Sequence, residues 1–249
     1  MDTASIAEAE ALLAEARERN FHLTAYHEAG HAVIASLGGI PVRGVTLYRT
    51  EESIRGVVKI PEEDSVCSLL AWNTSAKRYE FAIDVEEFEA GLRADKSEDY
   101  NIRDWYKAVR AEICHLLAGA VAEQIAGGAS SLGEVIERPS FAAPRGHDMA
   151  KVAALAKVLP HEHEVFFLYK ITYEAITEPD TWARVERIKD ALLASGNITG
   201  SAIAAMLPEH RKGWPKIGRG AVPWAKLKKL LANVPLFPDY EDAIAVAED

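Results

Sequence analysis

The stretch from Phe21 to Leu37, FHLTAYHEAGHAVIASL, contains no proline and has a helical pattern. Apolar or small residues recur in it at spacings of four, three and four, at Tyr26, Gly30, Val33 and Leu37. This period predicts a helix with one face packed inward, and Gly38-Gly39 followed by Pro41 predicts its end. A glycine inside a helix costs about 1 kcal/mol relative to alanine, so Gly30 indicates a close approach by another backbone.

The middle of this helix carries the pentapeptide His27-Glu28-Ala29-Gly30-His31. Two histidines four residues apart lie on one helix face and can bind one zinc ion, and Glu28 is placed to take a proton from an attacking water. The chemistry implied is peptide hydrolysis. The alternative is that both histidines are ordinary surface or core residues, because so short a pattern also arises by chance.

A zinc hydrolase usually supplies three protein ligands and leaves one position open. The extended pattern H-E-x-x-H-x-x-G-x-x-H is absent, because Leu37 stands six positions beyond His31 and the next histidine is His115. We therefore expect the third ligand to come from a distant part of the chain.

Four stretches, in the same order, resemble the proteolytic domain of FtsH-type membrane AAA proteases. Residues 25–32, AYHEAGHA, resemble that family's zinc helix, and residues 44–64, with GVTLY, GVV and PEED, resemble the stretch that follows it. Residues 117–128, LAGAVAEQIAGG, are similar to its alanine-rich helix. Residues 146–156, which begin with GHD, resemble the segment whose aspartate completes the zinc site. The resemblance extends over residues 21–207.

This resemblance implies a zinc metallopeptidase in which His27, His31 and Asp148 bind the metal and Glu28 is the general base. It also implies a mainly α fold with a small antiparallel β-hairpin or sheet beside the zinc helix. Asp148 begins a predicted helix that ends near Leu159. The alternative is that Asp148 is a plain helix-start residue, favoured there by the helix dipole.

Glu123, within the alanine-rich stretch, has two interpretations. It accepts the second N–H of a ligand histidine, as carboxylates behind metal sites commonly do, or it is a solvated helix residue. The sequence leaves both open.

Two strand-like runs, one with Val45 and Leu47 and one with Val57, Val58 and Ile60, flank a polar stretch that contains Gly56. They predict a hairpin beside the zinc helix, with Gly56 in the connection. An exposed edge strand there can add an extended or unfolded polypeptide through backbone hydrogen bonds. The alternative is a hairpin that only covers the core.

The sequence departs from the FtsH pattern in three places. It has no G-x-x-x-x-G-K-[ST] phosphate loop and no apolar run close to the roughly 20 residues of a membrane span. Residues 65–101 form an acidic insertion, predicted to be a lid or an interface, and residues 130–145 are predicted to be a loop.

We expect the protein either to act unaided or to receive substrates from a separate ATPase in trans, and a homo-oligomer is compatible with both.

Composition is that of a globular chain with a substantial core, since 49% of its 249 residues are hydrophobic and 27% are charged. We expect a metallopeptidase domain over residues 1–207 and a loop-and-helix tail over residues 208–249.

The net charge of −10 argues against a nucleic-acid partner, and the basic residues between Arg211 and Lys229 are more typical of a solvated face. Two cysteines without C-x-x-C spacing predict reduced thiols in the cytoplasm.

Periodicity predicts several further helices. They are an N-terminal helix over Ala4–Asn20, a long helix around Ile102–Ala126, and later helices over Asp180–Ala194 and Gly200–Leu207.

Two other functions remain open: a zinc-binding regulatory or interaction module, and a hydrolase of small peptides or amides. An open groove along the hairpin would favour polypeptides, and a closed pocket would favour small substrates.

Overall fold

The structure, a computed structural model, describes residues 3–50, 53–94, 101–137, 147–161 and 163–216. Over these ranges the fold is mainly helical with a small antiparallel sheet, as predicted. The helices are α1 (Thr3–Gly38), α2 (Val85–Ala94), α3 (Ile102–Ala126), α4 (Leu132–Glu137), α5 (His147–Ala156), α6 (Glu164–Thr177), α7 (Pro179–Ser195) and α8 (Gly200–Ala204). The strands are β1 (Gly44–Arg49), β2 (Ile54–Lys59), β3 (Leu70–Asn73), β4 (Arg78–Phe81) and β5 (Asn197–Thr199).

Helix α1 is 36 residues long and contains the histidine motif. The prediction of two helices, Ala4–Asn20 and Phe21–Leu37, was wrong, because no glycine or proline interrupts the hydrogen-bond ladder between them. Residues 6–20 are exposed, whereas most of residues 23–37 are buried. The predicted end is confirmed, since Gly39 adopts a φ of +83° directly after the helix.

Helix α3 packs along the buried half of α1, and its predicted bounds are confirmed. The Asn101 side chain caps it by accepting hydrogen bonds from the backbone N–H groups of Arg103 and Asp104. A Cβ atom on Gly30 would lie 2.6 Å from the Ala118 carbonyl oxygen. The close approach predicted at Gly30 therefore exists, and it brings the histidine motif against α3.

The predicted hairpin is confirmed as the antiparallel pair β1 and β2, in a sheet of order β2-β1-β5. The placement of Gly56 in the connection was wrong, because Gly56 lies within β2, opposite Leu47. A Cβ atom at Gly56 would lie only 2.0 Å from Cγ of Glu28. Glycine at this position therefore allows the backbone of β2 to lie directly over the Glu28 side chain.

The acidic insertion contains the β3–β4 hairpin and α2, none of which was predicted. Phe81 and Phe88 contact the ring of Trp105 on α3, with ring centroids 6.3 and 5.1 Å apart. Trp105 is buried, so the insertion is anchored to the core. Its function as a lid or an interface stays a prediction.

Helix α5 begins at His147, one residue before the predicted start at Asp148, and places Val152 and Leu155 in the core, but it ends three residues before Leu159. Helix α4 lies within residues 130–145, so the prediction of a loop was wrong for that part, and residues 138–146 are outside the described residues. Helix α6 and strand β5 were not predicted.

Helix α7 matches the predicted helix to within one residue at each end and packs against α1. There the Tyr26 hydroxyl donates to Glu186 Oε1 at 2.8 Å, and the Tyr26 ring stacks on Trp182. Helix α8 begins at Gly200 as predicted but ends at Ala204 rather than Leu207.

The described start of the tail, residues 208–216, lies against the end of α1. The Ser36 hydroxyl donates to the Pro208 carbonyl at 2.7 Å, and the Arg211 N–H donates to the Leu37 carbonyl at 3.1 Å. The helix predicted further along the tail, and most of its basic residues, lie outside the described residues.

Two further sequence expectations concern cysteines and membrane spans. Cys67 and Cys114 are free thiols, as predicted. Among the residues that the structure describes, no helix has both the length and the apolar character needed to cross a bilayer.

Candidate metal centre

Three of the predicted site residues converge in space. His27 and His31 project from one face of α1, and Asp148 comes from the first turn of α5, 121 residues beyond His27. The two Nε2 atoms lie 3.0 Å apart, and Asp148 Oδ2 lies 3.4 Å from the first and 3.3 Å from the second. The three side chains form a group that could hold a metal ion.

The other ring nitrogen of each histidine, Nδ1, makes a hydrogen bond on the side that faces away from this centre. His27 Nδ1 donates to Glu123 Oε2 at 3.1 Å, and His31 Nδ1 donates to the His115 carbonyl oxygen at 2.6 Å. Carboxylate and carbonyl oxygens only accept, so each Nδ1 carries a proton and each Nε2 faces the centre as the nitrogen that a metal ion would bind. Glu123 is 1% exposed, so it is the buried partner of His27 and not a solvated residue.

His115 completes a reciprocal contact between α1 and α3. Its Nδ1 donates to the His31 carbonyl oxygen at 3.1 Å, while its own carbonyl accepts from His31. Burial, together with the charge of His31, lowers the pKa of His115 to about 3, so this ring is neutral. Sequence reasoning assigned His115 no role. Its position eight residues before Glu123, on the same face of α3, was the available signal.

Gly119, between those two residues on α3, leaves space for the centre. A Cβ atom there would lie 2.4 Å from His31 Nε2 and 2.5 Å from His27 Nε2. Any larger residue would therefore fill the space on which the two Nε2 atoms converge. Gly119 lies in a stretch that carries the family resemblance, yet no site role was predicted for it.

The electrostatics of the centre favour a positive charge. Burial lowers the pKa of His27, but hydrogen bonds to Asp148 and Glu123 outweigh burial and raise it to about 10. Burial raises the pKa of Asp148, but its hydrogen bonds to the two histidines hold it well below the usual range. Two imidazole nitrogens and one carboxylate oxygen, each oriented by its surroundings, are a suitable donor set for a divalent transition metal.

Glu28 lies beside His27, His31 and Asp148 but is not part of the group that could hold a metal ion. It is 7% exposed, and burial raises the pKa of its carboxyl group although the neighbouring histidines act in the opposite direction. A carboxylate with a raised pKa accepts a proton more readily at neutral pH. This position suits the predicted general base.

A pocket of about 420 Å³ opens onto Glu28 and the three ligands. One wall is formed by β2, one of the two edge strands of its sheet in the described residues. The other walls come from the turns after β2, from α3 and from α5. The remaining lining residues are Gly56, Val57, Val58, Ile60, Glu62, Ser65, Cys67, Ser68, Glu112, His115, Leu116 and Lys151.

Comparison with protein-family models and with curated protein sequences finds no match for this chain.

Proposed function

We propose that this protein is a zinc-dependent endopeptidase, similar to the peptidase domain of FtsH-type proteases, that hydrolyses extended or unfolded polypeptides. The observation that carries the proposal is the convergence of His27, His31 and Asp148 on one point beside the buried carboxylate of Glu28.

The spacing of the three donor atoms supports zinc as the metal. Two ligand atoms bound to a tetrahedral zinc ion lie roughly 3.3 Å apart, given metal–ligand distances of about 2.0–2.2 Å. The three separations here are 3.0, 3.3 and 3.4 Å. The set of two histidines and one carboxylate also occurs in zinc hydrolases that keep a fourth position open.

Bound zinc would supply Lewis-acid polarisation of the scissile carbonyl and a lower pKa for the attacking water. Glu28 accepts the proton of that water and later returns it to the leaving amine. Glu123 and the His115 carbonyl hold the two imidazoles in the tautomer that binds metal through Nε2.

The position of β2 supports a polypeptide substrate. An extended chain can pair with an edge strand through backbone hydrogen bonds that do not depend on sequence. Val57, on the β2 wall of the pocket, is 47% exposed, so part of this strand faces solvent. Such pairing would bring a substrate backbone past Glu28 and the metal ligands.

The setting of the reaction is also part of the proposal. The two free thiols support a reducing, cytoplasmic compartment. The enzyme either cleaves accessible polypeptides unaided or receives them from a separate ATPase. The negative net charge makes nucleic acid an unsuitable partner.

Digestion of casein or another unfolded protein tests the proposal. The zinc-loaded protein should cleave it, a chelator should stop cleavage, and added zinc should restore it. Glu28→Gln should keep the metal but lose at least about 100-fold in rate, because general-base catalysis contributes that much or more. Glu86→Gln, the same change on the exposed first turn of α2, is the matched control.

Three results would contradict the proposal. Cleavage by the Glu28→Gln protein at the parental rate would remove Glu28 from the mechanism. Zinc binding without cleavage of any substrate would favour a binding or regulatory module. Cleavage of dipeptides and amides but not of unfolded proteins would favour a small-substrate hydrolase.

A further inference from the structure

We propose that the pocket beside the metal centre contains an acidic subsite, in which Glu112 binds an arginine or lysine side chain of the substrate next to the scissile bond. This inference rests on the proposed endopeptidase function and specifies its substrate class.

Glu112 lies on the face of α3 that meets the histidine motif. It precedes Gly119 by seven residues, or two helical turns, which places it about 10 Å away along the helix axis. It lines the same pocket as Glu28 and Asp148. A substrate held at the metal centre could therefore reach Glu112 with a long side chain but not with a short one.

Glu112 differs from two other buried carboxylates nearby. Glu123 pairs with His27, and Glu164 pairs with Arg110. Glu112 is 2% exposed, yet within the described residues no lysine, arginine or histidine lies within ion-pair distance of it. A buried carboxylate is costly without a cationic partner, and a basic substrate side chain would supply one.

The turn after β2 holds the Glu112 carboxylate in place. The Ser65 hydroxyl donates to Glu112 Oε1 at 3.0 Å. Burial raises the pKa of Glu112, and hydrogen bonds from Ser65, Cys67 and the Val66 backbone offset only part of that rise. The carboxylate is thus oriented before a substrate arrives, which lowers the entropic cost of binding.

The charges that line the pocket also favour a basic side chain. Once Asp148 binds metal and Glu28 serves as the base, the remaining charged groups are Glu62, Glu112 and Lys151. The Lys151 ammonium lies 5.8 Å from the centroid of the Tyr79 ring, a cation–π contact. A cationic side chain beside Glu112 favours its ionised form, and with Glu112 ionised these three groups carry a net charge of −1, which attracts a cationic side chain and repels an acidic one.

Apolar residues of the same pocket suit the stem of such a side chain. Ile60 and Leu116 line the pocket together with Glu112. Arginine and lysine bury their methylene stems against apolar surface while the charged end binds a carboxylate. An apolar side chain would gain the first contact but would leave Glu112 without a cation.

A matched set of unstructured peptides tests the inference. The peptides differ at one position beside the scissile bond, which carries arginine, lysine, leucine or glutamate, and kcat/KM is measured for each with the zinc-loaded protein. We expect arginine or lysine to be preferred over leucine by roughly 10- to 100-fold, and glutamate to be the poorest.

Glu112→Gln keeps the size of the side chain and an oxygen that accepts from Ser65, but removes the charge. In this variant the ratio of kcat/KM for the arginine and leucine peptides should fall to within a few-fold of one, mainly through KM. Glu112→Lys should reverse the preference toward glutamate, and Glu86→Gln should leave the parental ratio unchanged. Zinc content and circular dichroism show whether each variant is folded.

The outcomes separate this inference from the function on which it rests. Cleavage without preference for basic residues, or a preference that Glu112→Gln does not change, overturns the inference and leaves the endopeptidase proposal standing. A folded, zinc-loaded protein that cleaves none of the peptides and no unfolded protein overturns both.

Discussion

The two histidines of the motif are each fixed by the ring nitrogen that faces away from the metal centre. Glu123 holds His27, and the carbonyl of His115 holds His31, so both rings reach the centre in one tautomer. We therefore expect the metal affinity to depend on α3 residues that do not touch the metal.

Glu123→Gln tests the support of His27. The amide can still accept a hydrogen bond but lacks the negative charge that makes the imidazole a better ligand. We expect the zinc affinity to fall by about 10- to 100-fold, as is common when the partner of a ligand histidine is changed. Zinc titration against a competing chelator measures the change, and an affinity equal to the parental value would show that Glu123 does not support the site.

Gly119→Ala tests the space between α3 and the Nε2 atoms of His27 and His31. The added Cβ would approach each of them to about 2.5 Å or less, so the imidazoles must move. We expect zinc affinity and peptide cleavage to fall together, by at least about tenfold. Gly91→Ala is the matched control, because a Cβ there meets no atom within 4 Å. Equal zinc affinity in the two variants would contradict the account of Gly119.

The spacing of four residues is enough to predict His27, Glu28 and His31, because a single helix turn brings them together. Asp148 was predicted as a ligand only from the family resemblance, since no local pattern links it to His27, 121 residues earlier. His115 and Gly119 were missed as site residues for a related reason. Their roles follow from the register in which α3 packs against α1. The sequence of either helix alone does not determine that register.

At the scale of elements, the packing of α1 against α3 positions the site. The two helices touch where Gly30 faces the Ala118 carbonyl and the Ala122 methyl group. Small residues on both helices allow this approach, and the approach brings Glu123 and His115 within reach of the histidines.

Gly30→Ala should destabilise the protein even though alanine is the better helix former. Its Cβ would lie 2.6 Å from the Ala118 carbonyl oxygen, so the helices must separate. We expect a loss of about 1–3 kcal/mol in the free energy of unfolding, as for other overpacked cores. Urea denaturation measures it. Gly91→Ala should be neutral or stabilising by up to about 1 kcal/mol, and a similar gain for Gly30→Ala would rule out the tight contact.

Long periodic helices were predicted well, because α3 and α7 carry their own start and stop signals. Strand β5 is three residues long and exists through its pairing with β1, so it has no signal of its own. The division of α1 into two helices was wrong, because no helix-breaking residue separates its charged first half from its apolar second half. The exposed fraction of the side chains changes along α1, but its helical backbone is continuous.

At the scale of the whole molecule, the candidate metal centre joins α1 to α5, and its supporting residues come from α3. A ligand that binds only the folded state stabilises that state by mass action. Metal binding should therefore strengthen the link between α1 and α5.

Zinc should raise the melting temperature of the protein. At free zinc about 100-fold above Kd, the folded state gains about 2.7 kcal/mol, less any zinc binding to the unfolded chain. Differential scanning fluorimetry with zinc and with a chelator measures the shift. Asp148→Ala should lose most of it, while Asp84→Ala, at an exposed position before α2, should keep it. A zinc-induced shift of the same size in both variants would exclude Asp148 as a ligand.

Diffraction from crystals of the zinc-loaded protein, recorded on both sides of the zinc absorption edge, locates the ion directly. We predict one strong anomalous peak within about 2.0–2.2 Å of His27 Nε2, His31 Nε2 and an Asp148 carboxylate oxygen, with Glu28 close by but not bound to it. A peak elsewhere, or none at this position in crystals that contain zinc, would contradict the metal centre proposed for this protein.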